Sequence, residues 1–218
     1  MTSVVLVDDQ EMIRVGLRVM LEARGVTVLG EAADGRAGIE EVRRLRPDVC
    51  LMDLRMPVLD GITATSRIVE EGMATKVLVL TTYDLDDLVY GALRSGAAGF
   101  LLKSEPAARL VEGVEVVTAG EALLSPTVTR RLIERHLEGP DPRRVEHELT
   151  GLTERERDVL VLVPRGATND KIAAELFVSQ ATVKSHVNRL FAKLGLTSRV
   201  QAVVLAYECG LVVPGRQR

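Results

Sequence analysis

A carboxylate ends a short apolar run in the first half of the chain. Val49 to Met52 read as a strand buried on both faces, and Asp53 follows directly. In open parallel sheets ligands bind at the carboxyl ends of strands, so an acid at this place is well positioned for chemistry. Asp53 could equally be a turn residue, because aspartate is common where strands end. The residues that end the other predicted strands bear on this choice.

Four more residues with useful chemistry end other predicted strands. Asp8 and Asp9 end the first strand, Thr81 ends the fourth and Lys103 ends the fifth. Three carboxylates in one pocket repel one another unless a cation lies among them, and Mg2+ prefers such oxygen ligands. Together with a hydroxyl and an ammonium, these acids have the chemistry needed to receive a phosphoryl group and stabilise its anionic oxygens.

The predicted elements that position these residues alternate regularly. We predict strands at Val4–Val7, Thr27–Ala32, Val49–Met52, Lys76–Leu80 and Gly99–Leu102. Helical patterns follow them at Met12–Arg24, Arg36–Leu45, Ile62–Glu71, Asp86–Ser95 and Ala107–Ala119. Such alternation predicts an α/β domain with a doubly wound parallel sheet and helices on both faces. Its small size favours the flavodoxin-like strand order 2-1-3-4-5, in which the first and third strands end beside one pocket.

The first half of the chain, about residues 3 to 120, resembles the receiver domain of two-component response regulators. The resemblance depends on acids, a hydroxyl and a lysine at the family's spacing, namely Asp8, Asp9, Asp53, Pro57, Gly61, Thr81 and Lys103. It implies a receiver domain at residues 1–122.

The same resemblance implies roles for individual residues. Asp53 would be the phosphoacceptor, Thr81 and Lys103 would bind the phosphoryl oxygens, and Phe100 would change rotamer together with Thr81. A Mg2+ site would be formed by Asp8, Asp9, Asp53 and the main-chain carbonyl of Arg55. A sensor histidine kinase would supply the phosphoryl group.

The N-terminal part of the chain is acidic and the C-terminal part is basic. Residues 1–120 contain 13 Lys or Arg and 19 Asp or Glu, a net charge of −6, whereas residues 168–218 contain 7 and 3, a net charge of +4. This asymmetry suggests two modules, of which the second binds a polyanion. No apolar stretch reaches the length of a membrane span, so we expect a cytoplasmic protein with two reduced cysteines.

A linker is predicted between the two modules, at residues 123–148. Ser125 has the position of a helix N-cap and Pro126 that of the first helical residue, and the helix would run to about Leu137. The following segment, 139–150, is rich in proline and charge and lacks apolar periodicity, so we predict a tether there.

Four short helices are predicted in the C-terminal module, residues 149–213. The first opens at a capping box of Thr153 and Glu156 and reaches Pro164. The second begins at the cap Thr168, the third runs from Ser179 to Leu194, and the fourth spans roughly 198–209. Because only three residues connect the second and third helices, the module is predicted to be a small all-α helix-turn-helix unit.

The third of these helices has a polar side suited to nucleic acid. Its outward face presents donors of long reach, Lys184, Ser185, Asn188 and Arg189, and Ser179 and Lys193 could hold phosphates. A solvated helix face is the plainer interpretation. The absence of any acid from residue 179 to residue 207 favours DNA.

The C-terminal region, about residues 149 to 213, resembles the LuxR-type DNA-binding domain. The matching segments are 152–156, 169–173, 179–190 and 193–195. The resemblance implies contacts with bases or adjacent phosphates by Lys184, Ser185, Asn188 and Arg189. It also implies a homodimer in the active state through the last helix, whose apolar residues Val200, Val203 and Val204 are the predicted surface; alternatively, this helix simply packs beneath the third helix.

The combined prediction is a phosphorylation-gated transcription factor of the NarL/FixJ type. An aspartyl-nucleophile phosphohydrolase is an alternative, but such enzymes need a second acid two residues after the nucleophile, where this chain has Arg55. A nucleotide-binding module is disfavoured because the loop after the first strand, residues 8–11, contains no glycine. A receiver fold that works through protein contacts alone stays open.

Overall fold

The computed structural model describes residues 1–81, 86–123 and 149–212, with side chains in those ranges except at 86–89. It divides into two compact units, Met1–Ser125 and Pro126–Arg218. The predicted linker helix from Ser125 to Leu137, and all of the predicted tether except residues 149 and 150, lie outside the described residues.

Five strands and five helices alternate in the first unit, as the sequence predicts. The strands are β1 Ser3–Val7, β2 Thr27–Ala32, β3 Val49–Asp53, β4 Lys76–Thr81 and β5 Gly99–Leu102. The helices are α1 Glu11–Glu22, α2 Gly35–Leu45, α3 Gly61–Glu70, α4 Asp86–Arg94 and α5 Ala107–Thr118. Helices α2 and α3 begin one residue earlier than predicted, because Asp34 and Asp60 cap them by accepting hydrogen bonds from Ala37 and Thr63.

The strands form one parallel sheet in the order β2-β1-β3-β4-β5, which confirms the predicted flavodoxin-like order. Helices α1 and α5 pack on one face, where they bury alternate strand residues such as Leu6, Leu51 and Leu101. Helices α2 and α3 pack on the other face. Strand β3 is buried along its whole length, so Asp53 emerges at the carboxyl edge of the sheet interior.

The second unit contains four helices and one short 3-10 helix in its described part. They are α6 Glu154–Leu162, the 3-10 helix Val163–Arg165, α7 Asn169–Leu176, α8 Gln180–Leu194 and α9 Arg199–Glu208. The predicted capping box of Thr153 and Glu156 is present. Proline in the 3-10 turn explains where α6 stops, since Pro164 cannot donate to the preceding helical turn.

Helices α7 and α8 form the predicted helix-turn-helix. Three residues, 177–179, connect them, and Phe177 takes a left-handed conformation with φ 55°. Ser179 caps α8 by accepting a hydrogen bond from Thr182 N–H. The core beneath these helices is apolar and includes Ile172, Val183, Val187 and Leu190. No helix in the described residues has both the length and the apolar character that a membrane span needs.

Candidate phosphoacceptor pocket and nucleic-acid interface

One ammonium group joins the acids at the carboxyl edge of the sheet. Lys103 Nζ lies 2.6 Å from Asp8 Oδ2 and 3.1 Å from Asp53 Oδ2, and all three side chains are almost completely buried. Asp9 is exposed beside them, and the carboxylates of Asp8, Asp9 and Asp53 can bring one oxygen each within 4.8 Å of one another. The tertiary structure therefore brings together the four charged residues that the sequence predicts for this pocket.

Backbone amides orient the two buried carboxylates. Leu54 N–H donates to Asp53 Oδ1 at 2.9 Å, and Gln10 N–H donates to Asp8 Oδ1 at 3.0 Å. Each acid thus has one oxygen held by the backbone and the other turned towards Lys103. These contacts fix the direction of both carboxylates, with the Lys103 ammonium between them.

Thr81 and Phe100 are placed by strands β4 and β5. Thr81 is 2% exposed, and its carbonyl accepts a hydrogen bond from Lys103 N–H at 2.8 Å. Phe100 is completely buried and pairs with Val79 of β4. The predicted switch residues therefore lie on neighbouring strands that share backbone hydrogen bonds at the pocket, while the predicted rotamer change remains a prediction.

Electrostatics at Asp53 are dominated by burial. Desolvation raises the pKa of its carboxyl, the Lys103 ammonium opposes that rise, and the neighbouring Asp8 carboxylate adds to it. Three carboxylates and one ammonium leave an excess of negative charge in a largely buried place. A hard divalent cation with oxygen ligands fits this donor set, since it would offset that excess.

A close backbone approach shapes the loop between β3 and α3. A Cβ atom added to Gly61 would lie 1.9 Å from the carbonyl oxygen of Asp53, and Gly61 N–H donates to the Leu54 carbonyl at 3.0 Å. Only glycine permits this contact. The same loop contains Arg55, which is exposed.

Sequence reasoning missed a residue that supports the acid pair. Arg14 on α1 donates from Nη1 to the main-chain carbonyl of Asp8 at 2.7 Å and forms an ion pair with Glu31 on β2 at 3.1 Å. It thereby ties the end of β1 to the neighbouring strand. No spacing rule relates residues 14 and 31, because their contact exists only after β1 and β2 pair.

Helix α8 exposes most of the face predicted to read DNA. Lys184, Asn188 and Arg189 are exposed, and Ser185 is half-buried. These four residues lie opposite the buried apolar side of α8. The exposed face has donors and positive charge without any acid of its own helix, which is the chemistry that phosphates and base edges require.

Lys193, which we predicted to hold a phosphate, has a partner inside its own unit. Its Nζ lies 2.7 Å from Glu156 Oε2 and donates to the Gly151 carbonyl at 3.0 Å. Glu156 is 2% exposed and also accepts from Thr153 N–H at 2.8 Å. Since releasing Lys193 would leave a buried carboxylate without its cation, we assign this lysine to the link between α8 and the start of α6.

This ion pair predicts an acid-sensitive second unit. The Lys193 ammonium and then Thr153 N–H lower the pKa of Glu156 from its usual 4.5 to about 2. Because the folded pKa lies below the unfolded value, the stabilisation is complete above pH 4.5 and is lost as the pH falls towards 2. We expect Lys193→Met to lower the free energy of unfolding by about 1–2 kcal/mol near neutral pH. The decrease of this free energy between pH 4.5 and 2 should become smaller in the variant. Urea unfolding across this pH range measures both effects.

Arg155→Met provides the matched control for this experiment. Arg155 pairs with Asp158 at 3.4 Å, and the side chains of both are about half exposed. Its replacement should change stability by less than about 0.5 kcal/mol and leave the pH dependence intact. If Lys193→Met and wild type lose the same unfolding free energy between pH 4.5 and 2, the Lys193–Glu156 pair does not cause the acid sensitivity.

The three valines of α9 that we predicted for a dimer surface are buried within the single chain. Val200, Val203 and Val204 are only 0%, 5% and 4% exposed within the single chain. Helix α9 packs against the 3-10 helix and α6, and this packing takes up its apolar side. These three valines therefore belong to the core of the second unit. The side of α9 that is not fully buried contains Gln201, Leu205 and Glu208.

A buried arginine at the start of α9 is a second residue that the sequence did not reveal. Arg199 is 5% exposed, and its guanidinium donates to Asn169 Oδ1 at 2.8 Å and to the Ala167 carbonyl at 2.6 Å. It joins α9 to the beginning of α7, the first helix of the helix-turn-helix. Arginine is mostly exposed in proteins, so only the burial of this one shows its structural role.

Two family models match the chain. The model of the response regulator receiver domain matches residues 4–115, and the model of the luxR family of bacterial regulatory proteins matches residues 150–206. The first contains the acidic pocket and the second contains the helix-turn-helix.

Relatives and solved structures match over nearly the whole chain. Transcriptional regulatory protein LiaR of Bacillus subtilis (strain 168) is 40% identical over 97% of this chain and 100% of its own length. Response regulator protein VraR of Staphylococcus aureus (strain COL) is 36% identical over 96% of this chain and 98% of its own. The crystal structure of response regulator ChrA, from a heme-sensing two-component system, matches 96% of this chain and 98% of its own with 34% identity and a TM-score of 0.53.

Proposed function

This chain belongs to the two-component response regulators with a LuxR-type DNA-binding domain, and we propose that phosphorylation of Asp53 by a sensor histidine kinase controls its binding to DNA. Regulated transcription would be the outcome. The DNA partner implies that the protein acts in the cytoplasm. We further propose that the active form is a homodimer, whose contacts do not include the three buried valines of α9.

The arrangement of Lys103 between Asp8 and Asp53 is the observation that best supports this function. Asp53 has one oxygen fixed by Leu54 N–H and the other directed at a buried ammonium. A phosphoryl group on Asp53 would add negative oxygens close to Lys103 Nζ and the Thr81 hydroxyl, which are donors suited to them. The pocket is thus preorganised for a charged product on this carboxylate.

Mg2+ is the metal that this donor set would hold. Asp8, Asp9 and Asp53 would bind it, together with the main-chain carbonyl of Arg55 in our prediction. When bound, the ion would neutralise charge on the transferring phosphoryl group. The chain's own contribution is to orient Asp53 through Leu54 N–H and to hold Asp8 through Gln10 N–H.

A phosphohydrolase is disfavoured by the residue two positions after Asp53. Such an enzyme would need a carboxylic acid there as its proton donor, and the chain has Arg55 at that position. Arginine is too weak an acid to serve as a general acid. Both relatives described above are named as regulators. The pocket is therefore best interpreted as a switch that is phosphorylated and later returns to its free form.

DNA affinity before and after phosphorylation tests the proposed function. The probe is duplex DNA selected from a random pool by the full chain after treatment with acetyl phosphate and Mg2+. Treated protein should bind this probe about 5- to 150-fold more tightly than untreated protein, which is the usual range of coupling between two sites. Equal affinities, with phosphorylation of Asp53 verified by peptide mass spectrometry, would contradict the proposal.

For the reading face, Lys184→Ala should weaken DNA binding and lower its salt dependence. If Lys184 neutralises one phosphate, its loss reduces the slope of log affinity against log salt by about 0.9. Anisotropy titrations at several salt concentrations measure the slope. Arg155→Ala is the matched control, because Arg155 is equally cationic and exposed but lies on α6. An unchanged slope in Lys184→Ala would exclude a phosphate contact by this residue.

A further inference from the structure

The chain that leaves the first unit remains attached to strand β5. Leu123 forms a parallel bridge with Gly99, and its carbonyl accepts a hydrogen bond from Phe100 N–H at 3.0 Å. Leu123 is the last described residue before the segment 124–148 that leads to the DNA-binding unit. Our predicted linker began at this residue. In the structure Leu123 forms an isolated bridge to β5, at the edge of the receiver sheet.

Two glycines make room for the side chain of Leu123. A Cβ on Gly99 would lie 3.2 Å from Leu123 Cβ and 2.9 Å from Leu78 Cδ1, and a Cβ on Gly113 would lie 2.9 Å from Leu123 Cδ2. Leu123 is 8% exposed in the socket that they leave. Glycine in the interior of a strand or helix is destabilising relative to alanine. At Gly99 and Gly113 this cost is accompanied by the packing of Leu123.

Strand β5 therefore connects the Leu123 socket with the phosphoacceptor pocket. It contains Gly99 and Phe100 at one end and leads into Lys103 at the other, a distance of about 13 Å at the usual rise of a strand. The Lys103 amide is bonded to the Thr81 carbonyl. A rearrangement of Thr81, Phe100 or Lys103 would therefore displace β5, the four-residue strand to which Leu123 is hydrogen-bonded.

We propose that Leu123 is a positioning residue that couples the phosphoacceptor pocket to the DNA-binding unit through the start of the connecting chain. This inference rests on the proposed function, because it requires that Asp53 accepts a phosphoryl group. In the unphosphorylated protein the socket holds the beginning of the connecting segment on β5. A shift of β5 on phosphorylation moves Leu123 and so changes where that segment leaves the receiver.

The coupling ratio of Leu123→Ala tests this role in the full chain. The ratio is the DNA affinity after acetyl phosphate and Mg2+ divided by the affinity before. We expect phosphorylation of Asp53 at an unchanged rate and a ratio that falls from the wild-type value to within about twofold of one. Leu123→Met, which keeps an apolar chain of similar volume, should restore the wild-type ratio.

Leu110→Ala is the matched control for lost core packing. Leu110 is 5% exposed in the same core and lies on α5, but the bridge and the hydrogen bond to β5 are formed by Leu123. It should lose stability to a similar extent and keep the wild-type ratio. Gly113→Ala supplies a second variant, since the added methyl would lie 2.8 Å from Leu101 Cδ1 of β5 and 2.9 Å from Leu123 Cδ2. It crowds the contact between β5 and Leu123 and should lower the ratio as Leu123→Ala does.

Amide exchange gives a readout that does not depend on DNA. Phe100 N–H is protected by the Leu123 carbonyl, so its hydrogen exchange should become at least about tenfold faster in Leu123→Ala. Beryllofluoride with Mg2+, a mimic of the phosphoryl group, should change Phe100 exchange in the wild type. Unchanged exchange in both comparisons would overturn the proposed coupling.

The outcomes separate this inference from the function on which it rests. A wild type that accepts no phosphoryl group, or binds DNA equally in both forms, contradicts the proposed function and the coupling with it. A wild type that responds, together with Leu123→Ala that responds equally, overturns the role of Leu123 alone. Equal losses of coupling in Leu123→Ala and Leu110→Ala would show that general destabilisation, and not this contact, breaks the response.

Discussion

Asp53→Asn should abolish phosphorylation and make DNA affinity independent of acetyl phosphate. The amide keeps the shape of the side chain but cannot form the acyl phosphate, so the expected gain of about 5- to 150-fold disappears completely. The comparison uses wild type and variant treated identically with acetyl phosphate and Mg2+. Peptide mass spectrometry measures phosphorylation, and anisotropy with the selected duplex measures affinity.

The same variant should fold at least as well as wild type, which makes the loss of response interpretable. Burial and Asp8 raise the pKa of Asp53, so its ionised form is disfavoured in the pocket, and a neutral side chain relieves this cost. Lys103 retains its contact with Asp8 at 2.6 Å. A thermal midpoint well below that of wild type would contradict this account of the pocket.

Removal of Mg2+ provides an independent arm of this experiment. Excess EDTA should prevent phosphorylation of wild type, and added Mg2+ should restore it. Asp9→Asn leaves both contacts of Lys103 intact, because neither involves Asp9. This variant should therefore need a higher Mg2+ concentration without losing stability. Phosphorylation at full rate in EDTA would show that the three acids do not act through a metal.

Gly61→Ala should have the largest effect on stability among the single substitutions considered for the receiver. The added Cβ would lie 1.9 Å from the Asp53 carbonyl oxygen and 2.9 Å from Leu54 Cα, both of which are backbone atoms. The backbone of the loop must move to relieve this contact, at a cost of about 3 kcal/mol or more. Because the displaced loop begins at the phosphoacceptor, phosphorylation should slow as well. Urea unfolding and the rate of acetyl phosphate labelling measure the two effects.

Gly16→Ala is the control with the opposite expected sign. Gly16 lies in the middle of α1, and a Cβ there would have no other atom within 4 Å among the described residues. Alanine favours the helix, so this variant should gain about 0.5–1 kcal/mol and retain normal labelling. Gly61→Ala within about 0.5 kcal/mol of wild type would show that the loop adapts without strain.

Local sequence patterns were sufficient to predict the architecture. Short continuous apolar runs alternated with helical patterns, and the small size of the domain favoured the order 2-1-3-4-5, which the sheet confirms. Asp8, Asp53, Thr81 and Lys103 were each placed at a strand end by counting along the chain. Capping residues such as Thr153 and Ser179 were equally readable, because a cap bonds to an amide three residues away.

The partners of individual side chains depended on contacts between distant residues. Lys193 has the composition of a phosphate ligand, yet its ammonium contacts Glu156, 37 positions earlier in the chain. Similarly, the apolar residues of α9 were compatible with both a dimer surface and a core, and only the packing of α9 on α6 and the 3-10 helix showed that the valines are buried. Periodicity identifies an apolar face but does not say what covers it.

That Asp53 ends a buried strand, with acids at the end of another strand, could be predicted from the sequence, because strand and helix patterns are local properties of the chain. The contacts that hold this carboxylate are made only when the chain folds. Leu54 N–H takes one oxygen and Lys103, 50 residues away, takes the other. The folded chain also brings Leu123 into an isolated bridge beside Phe100. The contacts of Asp53 with Lys103 and of Leu123 with β5 join residues that are distant in sequence, so no local pattern predicts them.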